Sequence, residues 1–166
     1  AAREAVERAM RSETLGYTLA LGLPSLRERI AQHYKDWYGL DLAPERVVVT
    51  NGSSAAFVLA FLALFDAGDR VALPSPGYPC YRHILTALGQ QPVIIEADDS
   101  SRWMPTAAQI EEASVRDGIA GVLIASPANP TGTMLEPQRL REILEVCRKR
   151  GIWFISDEIY HGLTYG

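Results

Sequence analysis

Hydrophobic residues in this chain follow two patterns that alternate from residue 46 onwards. Short uninterrupted runs rich in β-branched residues, such as 47–49, 93–95 and 122–124, are typical of strands buried on both faces of a parallel sheet. Between these runs lie stretches in which apolar residues have helical spacing. The predicted order is strand 46–50, helix 55–65, strand 70–73, helix 81–88, strand 92–96, helix 106–114, strand 120–125, helix 137–150 and strand 152–156. This alternation predicts an α/β fold, a mostly parallel sheet with helices on both faces.

Another helix is predicted ahead of this alternation. It begins at Pro24 and ends before Gly39, because proline favours the first turn of a helix and glycine the position after its end. Its apolar face is formed by Leu26, Ile30, Tyr34 and Trp37. Residues 5–10 have a helical pattern as well. Since the chain starts within that pattern and stops at Gly166 without a closing element, we expect it to be part of a longer protein.

The composition is that of a globular protein. With 166 residues, 48% of them hydrophobic, the chain is long enough for one buried core and one domain. A net charge of −4, with no basic cluster beyond 148–150, argues against nucleic-acid binding. The longest apolar stretch, 55–65, is shorter than the roughly 20 residues of a membrane span. Cys80 and Cys147 have no metal or redox spacing, and we expect a cytoplasmic protein that binds neither nucleic acid nor membrane.

The first candidate for chemistry is Gly52-Ser53-Ser54, which follows a predicted strand and begins a predicted helix. Small residues let the backbone N–H groups of a helix N-terminus approach an anion, and the two hydroxyls add hydrogen bonds, so a phosphate fits there. The alternative is that Ser53 or Ser54 simply caps the helix. Neither a G-x-G-x-x-G nor a G-x-x-x-x-G-K-[ST] motif is present, so neither a dinucleotide nor a nucleoside triphosphate has its usual binding loop.

Polar residues also follow three later strands. Tyr78, Asn129 and Asp157 each come at or just after the end of a predicted strand, and Tyr160 lies three residues beyond Asp157. Because the carboxyl ends of parallel strands meet at one edge of a sheet, these side chains are candidates for a single site. Taken one at a time they have ordinary alternatives: a turn residue before proline, a cap, or half-buried aromatics.

Two other kinds of site fit these residues less well. Asp157-Glu158 after an apolar strand also suits the magnesium-holding acid of an ATPase, but that interpretation needs a P-loop lysine. The only lysines, Lys35 and Lys149, lie in a predicted helix and at the end of another. A metal site is not indicated, because the three histidines are far apart and belong to no ligand motif.

Together these motifs resemble the class I/II aminotransferases, which are pyridoxal-phosphate-dependent enzymes of fold type I. The most specific evidence is the pair of segments 129–132 (Asn-Pro-Thr-Gly) and 157–160 (Asp-Glu-Ile-Tyr), in this order and at this spacing. Segments 16–17 and 22–27 extend the resemblance over essentially the whole chain. It implies that residues 1–166 form the N-terminal part of the pyridoxal-phosphate-binding large domain, without the later strands, the lysine-bearing segment and the C-terminal small domain.

The resemblance implies roles for the candidates nearest the N-terminus. Ser53 and Ser54, with the turn at Gly52, would hold the phosphate of pyridoxal 5′-phosphate. Tyr78 would stack on the pyridine ring, as an aromatic face can. Tyr17 matches a family tyrosine that reaches the phosphate bound in the neighbouring subunit, which implies a homodimer with shared active sites.

The later candidates would act on the ring itself. Asn129 and Tyr160 would donate hydrogen bonds to its phenolic oxygen. Asp157 would pair with the pyridine nitrogen and keep it protonated, the condition under which the ring withdraws electrons from the substrate. Asp157 and Tyr160 are therefore the predicted catalytic residues, and the Asn129–Pro130 peptide bond is expected to be cis.

The implied reaction is the transfer of an amino group from a small-molecule amino acid to a 2-oxo acid. Two alternatives stay open: a pyridoxal-phosphate-dependent C–S or β-lyase on the same fold, and an amino-acid-sensing, aminotransferase-like domain of a transcription regulator. In the family, the segment that 157–160 matches is followed by the lysine that binds the cofactor covalently. The arginines that bind the cofactor phosphate and the substrate carboxylate come later still. We therefore expect residues 1–166 to be inactive alone, with unpaired strand edges beside 47–49.

Overall fold

The computed structural model describes residues 1–13 and 16–163. Its helices are α1 (Ala2–Ser12), α2 (Pro24–Tyr38), α3 (Ser53–Leu64), α4 (Pro79–Ala87), α5 (Ala107–Arg116) and α6 (Pro137–Arg150). Its strands are β1 (Arg70–Ser75), β2 (Gln91–Glu96), β3 (Gly121–Ala125) and β4 (Trp153–Asp157). Short 3₁₀ turns occupy Pro44–Arg46 and Asp99–Ser101. The chain divides into two compact units, Ala1–Asn51 and Gly52–Gly166.

In the N-terminal unit, α2 has the predicted bounds and is tied to the segment that follows it. The Arg27 guanidinium donates to the carbonyl oxygen of Pro44 at 2.9 and 3.1 Å, and to that of Val47 at 2.9 Å. Ala31 is the buried residue of this helix. Most of its predicted apolar face stays exposed, and Trp37 keeps 72% of its surface accessible.

The predicted strand at residues 46–50 is wrong. Pro44–Arg46 form a 3₁₀ turn and Val47 is extended, but no strand of the described chain pairs with this segment. The Val49 N–H donates to the carbonyl oxygen of Leu21 at 3.0 Å, which is an isolated contact rather than part of a ladder. A β-branched run favours an extended backbone by itself, whereas a strand also needs a hydrogen-bonded neighbour.

The C-terminal unit contains the parallel sheet that the sequence predicts. Within the described residues the strand order is β2-β1-β3-β4, and every pairing is parallel. Helices α4, α5 and α6 each connect one strand to the next along the chain. The four strands and four helices predicted for this unit are all present, with bounds that differ by no more than two residues. The α/β fold class is thereby confirmed.

The core consists of two apolar layers, one on each face of the sheet. Side chains alternate between the faces, so Val122 and Ile124 of β3 enter one layer and Leu123 enters the other. The first layer also contains Ile110, Ala113, Ile143 and Cys147 from α5 and α6, and the second contains Phe57, Phe61, Tyr81 and Leu85 from α3 and α4. Helices therefore cover both faces, as predicted.

Burial on both faces holds for β3 but not for the two outer strands. All five residues of β3 are buried. On β2, Ile94 is 38% exposed, and on β4, Trp153 is 56% exposed. These strands have a neighbour on one side only among the described residues, so their continuous apolar runs are incompletely covered. At Gly121, where β3 begins, the buried Phe65 ring occupies the space that a Cβ would need, so any larger residue would require that ring to move.

On α6 the two neighbours Cys147 and Leu144 differ in burial. Cys147 is 3% exposed and packs in the core, and burial raises the pKa of its thiol to about 11. Leu144, almost one turn earlier, is 40% exposed. None of the described helices is both long and apolar enough to cross a membrane.

Candidate functional site

A pocket of about 160 Å³ lies where the carboxyl ends of β3 and β4 meet the first turns of α3 and α4. Ala125, the last residue of β3, is in register with Asp157, the last residue of β4. Parallel pairing thus brings the segments that follow both strands to one edge of the sheet. The residues that line the pocket are Ser53, Tyr78, Tyr81, Ala125, Asn129, Asp157, Ile159 and Tyr160. Five of these residues are ones that the sequence predicts for the site.

Asp157 is the acid of this pocket. It is 8% exposed, and both of its carboxylate oxygens accept hydrogen bonds. The Tyr81 hydroxyl donates to Oδ2 at 2.5 Å, and the Ile159 N–H donates to Oδ1 at 3.0 Å. The backbone carbonyl of Asp157 accepts a hydrogen bond from the Ser126 N–H at 3.0 Å. This bond holds the end of β4 against the start of the loop that follows β3. Hydrogen bonds to both oxygens hold the carboxylate in one orientation at the edge of the pocket.

Tyr81 is the polar residue among the three lining residues that sequence reasoning missed, the others being Ala125 and Ile159. It lies on α4 and is 4% exposed. Burial, followed by its hydrogen bond to Asp157, raises the pKa of the Tyr81 phenol well above its ordinary value, so this hydroxyl remains a donor. The available signal was spacing, because Tyr78 and Tyr81 are three residues apart at the start of a helix and therefore neighbours in space.

The N-terminus of α3 forms one wall of the pocket. Gly52 is the N-cap residue, with a φ of 84° that favours glycine. Ser53 begins the helix and lines the pocket, whereas Ser54 is exposed and outside the lining. No side-chain hydrogen bond from the described residues caps this helix. The alternative that a serine serves here only as a cap is therefore not what the structure shows, and the first turn presents backbone N–H groups suited to an anion.

Asn129 is placed by the turn that follows β3. The Asn129–Pro130 peptide bond is cis, as predicted, and so is Ser126–Pro127. Gly132 N–H donates to the Ala128 carbonyl oxygen at 2.7 Å, and Ala128 N–H donates to that of Thr133 at 2.9 Å. These two bonds close the turn on both sides of Asn129.

Two of the other candidates lie at the margin of the pocket. Tyr160 lines the pocket and is 39% exposed. Tyr78 lines it too, and hydrogen bonding to Cys80 raises the pKa of its phenol. Tyr17 belongs to the N-terminal unit and is fully exposed. Lysine and histidine are absent from the lining, and no group of metal-ligating side chains occurs in the described part of the chain.

The donor set of this pocket suits one class of small molecule. A carboxylate that is almost inaccessible to water pairs well with a protonated ring nitrogen. An aromatic face suits a flat ring, an amide and a phenol suit a ring oxygen, and a helix N-terminus without a side-chain cap suits a phosphate. Pyridoxal 5′-phosphate has these four features, so the residues present fit the cofactor that the sequence resemblance implies.

Known proteins similar to this chain are aminotransferases. Residues 1–166 match the family model described as aminotransferase class I and II. A valine–pyruvate aminotransferase from Mycobacterium tuberculosis is 50% identical over 98% of this chain. An aspartate aminotransferase from Geobacillus stearothermophilus is 35% identical, also over 98% of the chain.

Solved structures agree with these sequence matches. A crystal structure of an aminotransferase from Mycobacterium tuberculosis superimposes with a TM-score of 0.94 at 50% identity and covers 98% of this chain. An alanine aminotransferase from Pyrococcus furiosus does so with a TM-score of 0.91 at 34% identity, over 99% of the chain. The chain spans about 42% of the length of the first of these structures and of the valine–pyruvate relative. By its family match over the whole chain and by its fold, the chain belongs to the class I and II aminotransferase family.

Proposed function

We propose that the full-length protein transfers the amino group of an amino acid to a 2-oxo acid with pyridoxal 5′-phosphate as its cofactor. One observation carries the proposal: Ser53, Tyr78, Asn129, Asp157 and Tyr160 come from four separate segments and line one pocket. Family membership indicates the type of reaction, and the pocket supplies the groups that this reaction needs.

Asp157 has the central role in this proposal. When bound, pyridoxal phosphate supplies a ring that withdraws electrons from the substrate as its Cα–H bond breaks, and it does so best with the ring nitrogen protonated. The Asp157 carboxylate would hold the proton on that nitrogen. Its low exposure strengthens the pairing, because little water competes for either partner.

The remaining pocket residues orient the cofactor. Asn129 and Tyr160 would donate hydrogen bonds to the phenolic oxygen of the ring, and Tyr78 would pack on the ring face. The first turn of α3, from Gly52 through Ser53 to Ser54, would bind the phosphate. Since Ser54 lies outside the pocket lining, we assign the phosphate contact to its backbone N–H and to the Ser53 side chain.

Valine and pyruvate are the first substrates to test, since they name a relative that is 50% identical. We expect the purified full-length protein, supplied with pyridoxal phosphate, to form alanine and the 2-oxo acid of valine in equal amounts. Chromatography of both products measures this stoichiometry. Release of ammonia and a 2-oxo acid from an amino acid with a thiolate leaving group on Cβ, with no turnover of valine, would instead indicate a lyase. Cofactor binding without turnover of either substrate would indicate a sensing domain. Failure to bind pyridoxal phosphate would overturn the proposal altogether.

We also propose that the protein acts as a homodimer in which Tyr17 reaches the phosphate in the partner subunit. Tyr17 is fully exposed and contributes nothing to the core, which supports a role at an interface. The lysine that anchors the cofactor is proposed to lie outside residues 1–166, because neither Lys35 nor Lys149 lines the pocket. Sedimentation equilibrium of the full-length protein tests the dimer, and a monomeric mass at micromolar concentration would contradict it.

A further inference from the structure

The Tyr81 side chain holds a position that no sequence motif assigned to it. Its hydroxyl donates to Asp157 Oδ2 at 2.5 Å, and the bond joins two residues that are both almost inaccessible to water. The other carboxylate oxygen is held by the Ile159 N–H. A carboxylate has about four acceptor positions, so two remain after these bonds. Because Asp157 lines the pocket, those positions are available to a ligand bound there.

The Tyr81 ring is fixed on two sides. Phe57 of α3 packs against it edge to face with ring centroids 5.0 Å apart, and Tyr78 packs against it in the same way at 5.5 Å. Phe57 lies one helical turn after Ser53, the residue at which α3 enters the pocket. Tyr81 therefore contacts the acid, the proposed ring-stacking tyrosine and the helix of the proposed phosphate site. Such packing leaves its hydroxyl little freedom to point elsewhere.

Charged groups other than Asp157 are absent from the pocket lining in the described residues. The titratable groups that face Asp157 are Tyr81 from α4, Tyr78 just before α4 and Tyr160 after β4, while Asn129 and Ser53 are neutral. Glu158 faces away, since it accepts from Ser156 Oγ and lies 3.7 Å from His161. With no cation among these lining residues, the hydrogen bonds from Tyr81 and Ile159 are the contacts that hold the acid in place.

We propose that Tyr81 is the positioning residue of the candidate site, which fixes the Asp157 carboxylate by a hydrogen bond so that its free acceptor positions face the cofactor's ring nitrogen. The inference rests on the proposed cofactor-binding function and adds a residue to it. Tyr81 does not touch the reacting atoms. It acts through Asp157, by orienting the carboxylate.

The test is Tyr81→Phe in the full-length protein, with pyridoxamine 5′-phosphate as the probe because it binds without a covalent bond. Equilibrium dialysis measures its dissociation constant. Without the Tyr81 hydroxyl, the Asp157 carboxylate loses the hydrogen bond that orients it towards the ring nitrogen. The dissociation constant should therefore rise by about tenfold, as expected for the loss of a hydrogen bond to a charged group.

The matched control is Phe65→Leu, which removes a buried ring from the same apolar layer but leaves the pocket lining unchanged. We expect this variant to lower the thermal midpoint while leaving the dissociation constant of the probe where it is in the unmodified protein. A Tyr81→Phe protein with an unchanged dissociation constant would overturn the inference, and so would equal increases in both variants, since a general loss of packing would then explain them. If the unmodified protein itself does not bind the probe, the proposed function fails instead, and the two failures are distinguishable.

Discussion

Replacing Asp157 by asparagine in the full-length protein is expected to lower kcat for amino transfer by roughly 10³-fold, the scale on which removing one preorganised electrostatic contact slows an enzyme. Asparagine has nearly the same shape and keeps one oxygen that can accept a hydrogen bond from the Tyr81 hydroxyl. What it lacks is the negative charge that would hold a proton on the ring nitrogen. Steady-state kinetics with valine and pyruvate measure the loss, and circular dichroism should show an unchanged fold.

The adjacent residue offers a control for this change. Glu158→Gln removes the same charge one position further along, but Glu158 is exposed and does not line the pocket. Its kcat should match that of the unmodified protein within experimental error. Asp157→Ala should be as inactive as Asp157→Asn and less stable, because it leaves the buried Tyr81 hydroxyl without its acceptor. Full activity of either Asp157 variant would remove the ring-nitrogen assignment.

Truncating Phe61 to alanine is expected to have the largest effect on stability, about 3–5 kcal/mol in the free energy of unfolding. Phe61 has no accessible surface, and its ring packs between Phe57 and Phe65 with centroid distances of 6.0 and 6.2 Å. Its backbone oxygen accepts from the buried Gln90 amide, so the wall of the resulting cavity cannot shift freely to fill it. Urea denaturation of the full-length protein, followed by fluorescence, measures the change in midpoint.

Val115→Ala is the matched control for Phe61→Ala. It removes apolar atoms from a helix as well, but Val115 is 69% exposed on α5. Its effect should stay within about 0.5 kcal/mol, as for most surface substitutions. If Phe61→Ala lowered the free energy of unfolding by no more than this control, the packing of Phe61 with Phe57 and Phe65 would not be the core element that its burial indicates.

The pattern of apolar residues predicted the elements of the C-terminal unit well, because period and length distinguish strands from helices there. The β-branched run 122–124 is a fully buried strand, and helix 137–150 has the predicted bounds. The same reasoning failed at 46–50, a run with equally strong β propensity. Propensity is a local property, whereas strand formation depends on a partner that may be distant in sequence.

For the candidate site, motifs identified the residues near the strand ends but not Tyr81, which contacts one of them from α4. Ser53, Tyr78, Asn129, Asp157 and Tyr160 were predicted and line one pocket. Tyr81 was missed because a tyrosine in an amphipathic helix is typical of a core position, and its burial is indeed that of a core residue. Its partner is 76 residues away in the sequence, a separation that no local pattern encodes.

The amino-acid sequence alone is enough to establish the α/β class, the order of elements in the C-terminal unit and the family, because each depends on local periodicity or on short ordered motifs. Tertiary structure was needed to show which residues of the α3 first turn enter the pocket and which group holds the buried acid. It was also needed to show which strands have a neighbour on one side only among the described residues. These features depend on strand register and on packing between distant segments. Asp157 depends on both the sequence and the tertiary structure. A short motif identifies it, whereas the register of β3 with β4 places it at the pocket and the position of α4 gives it the Tyr81 hydroxyl as a hydrogen-bond donor.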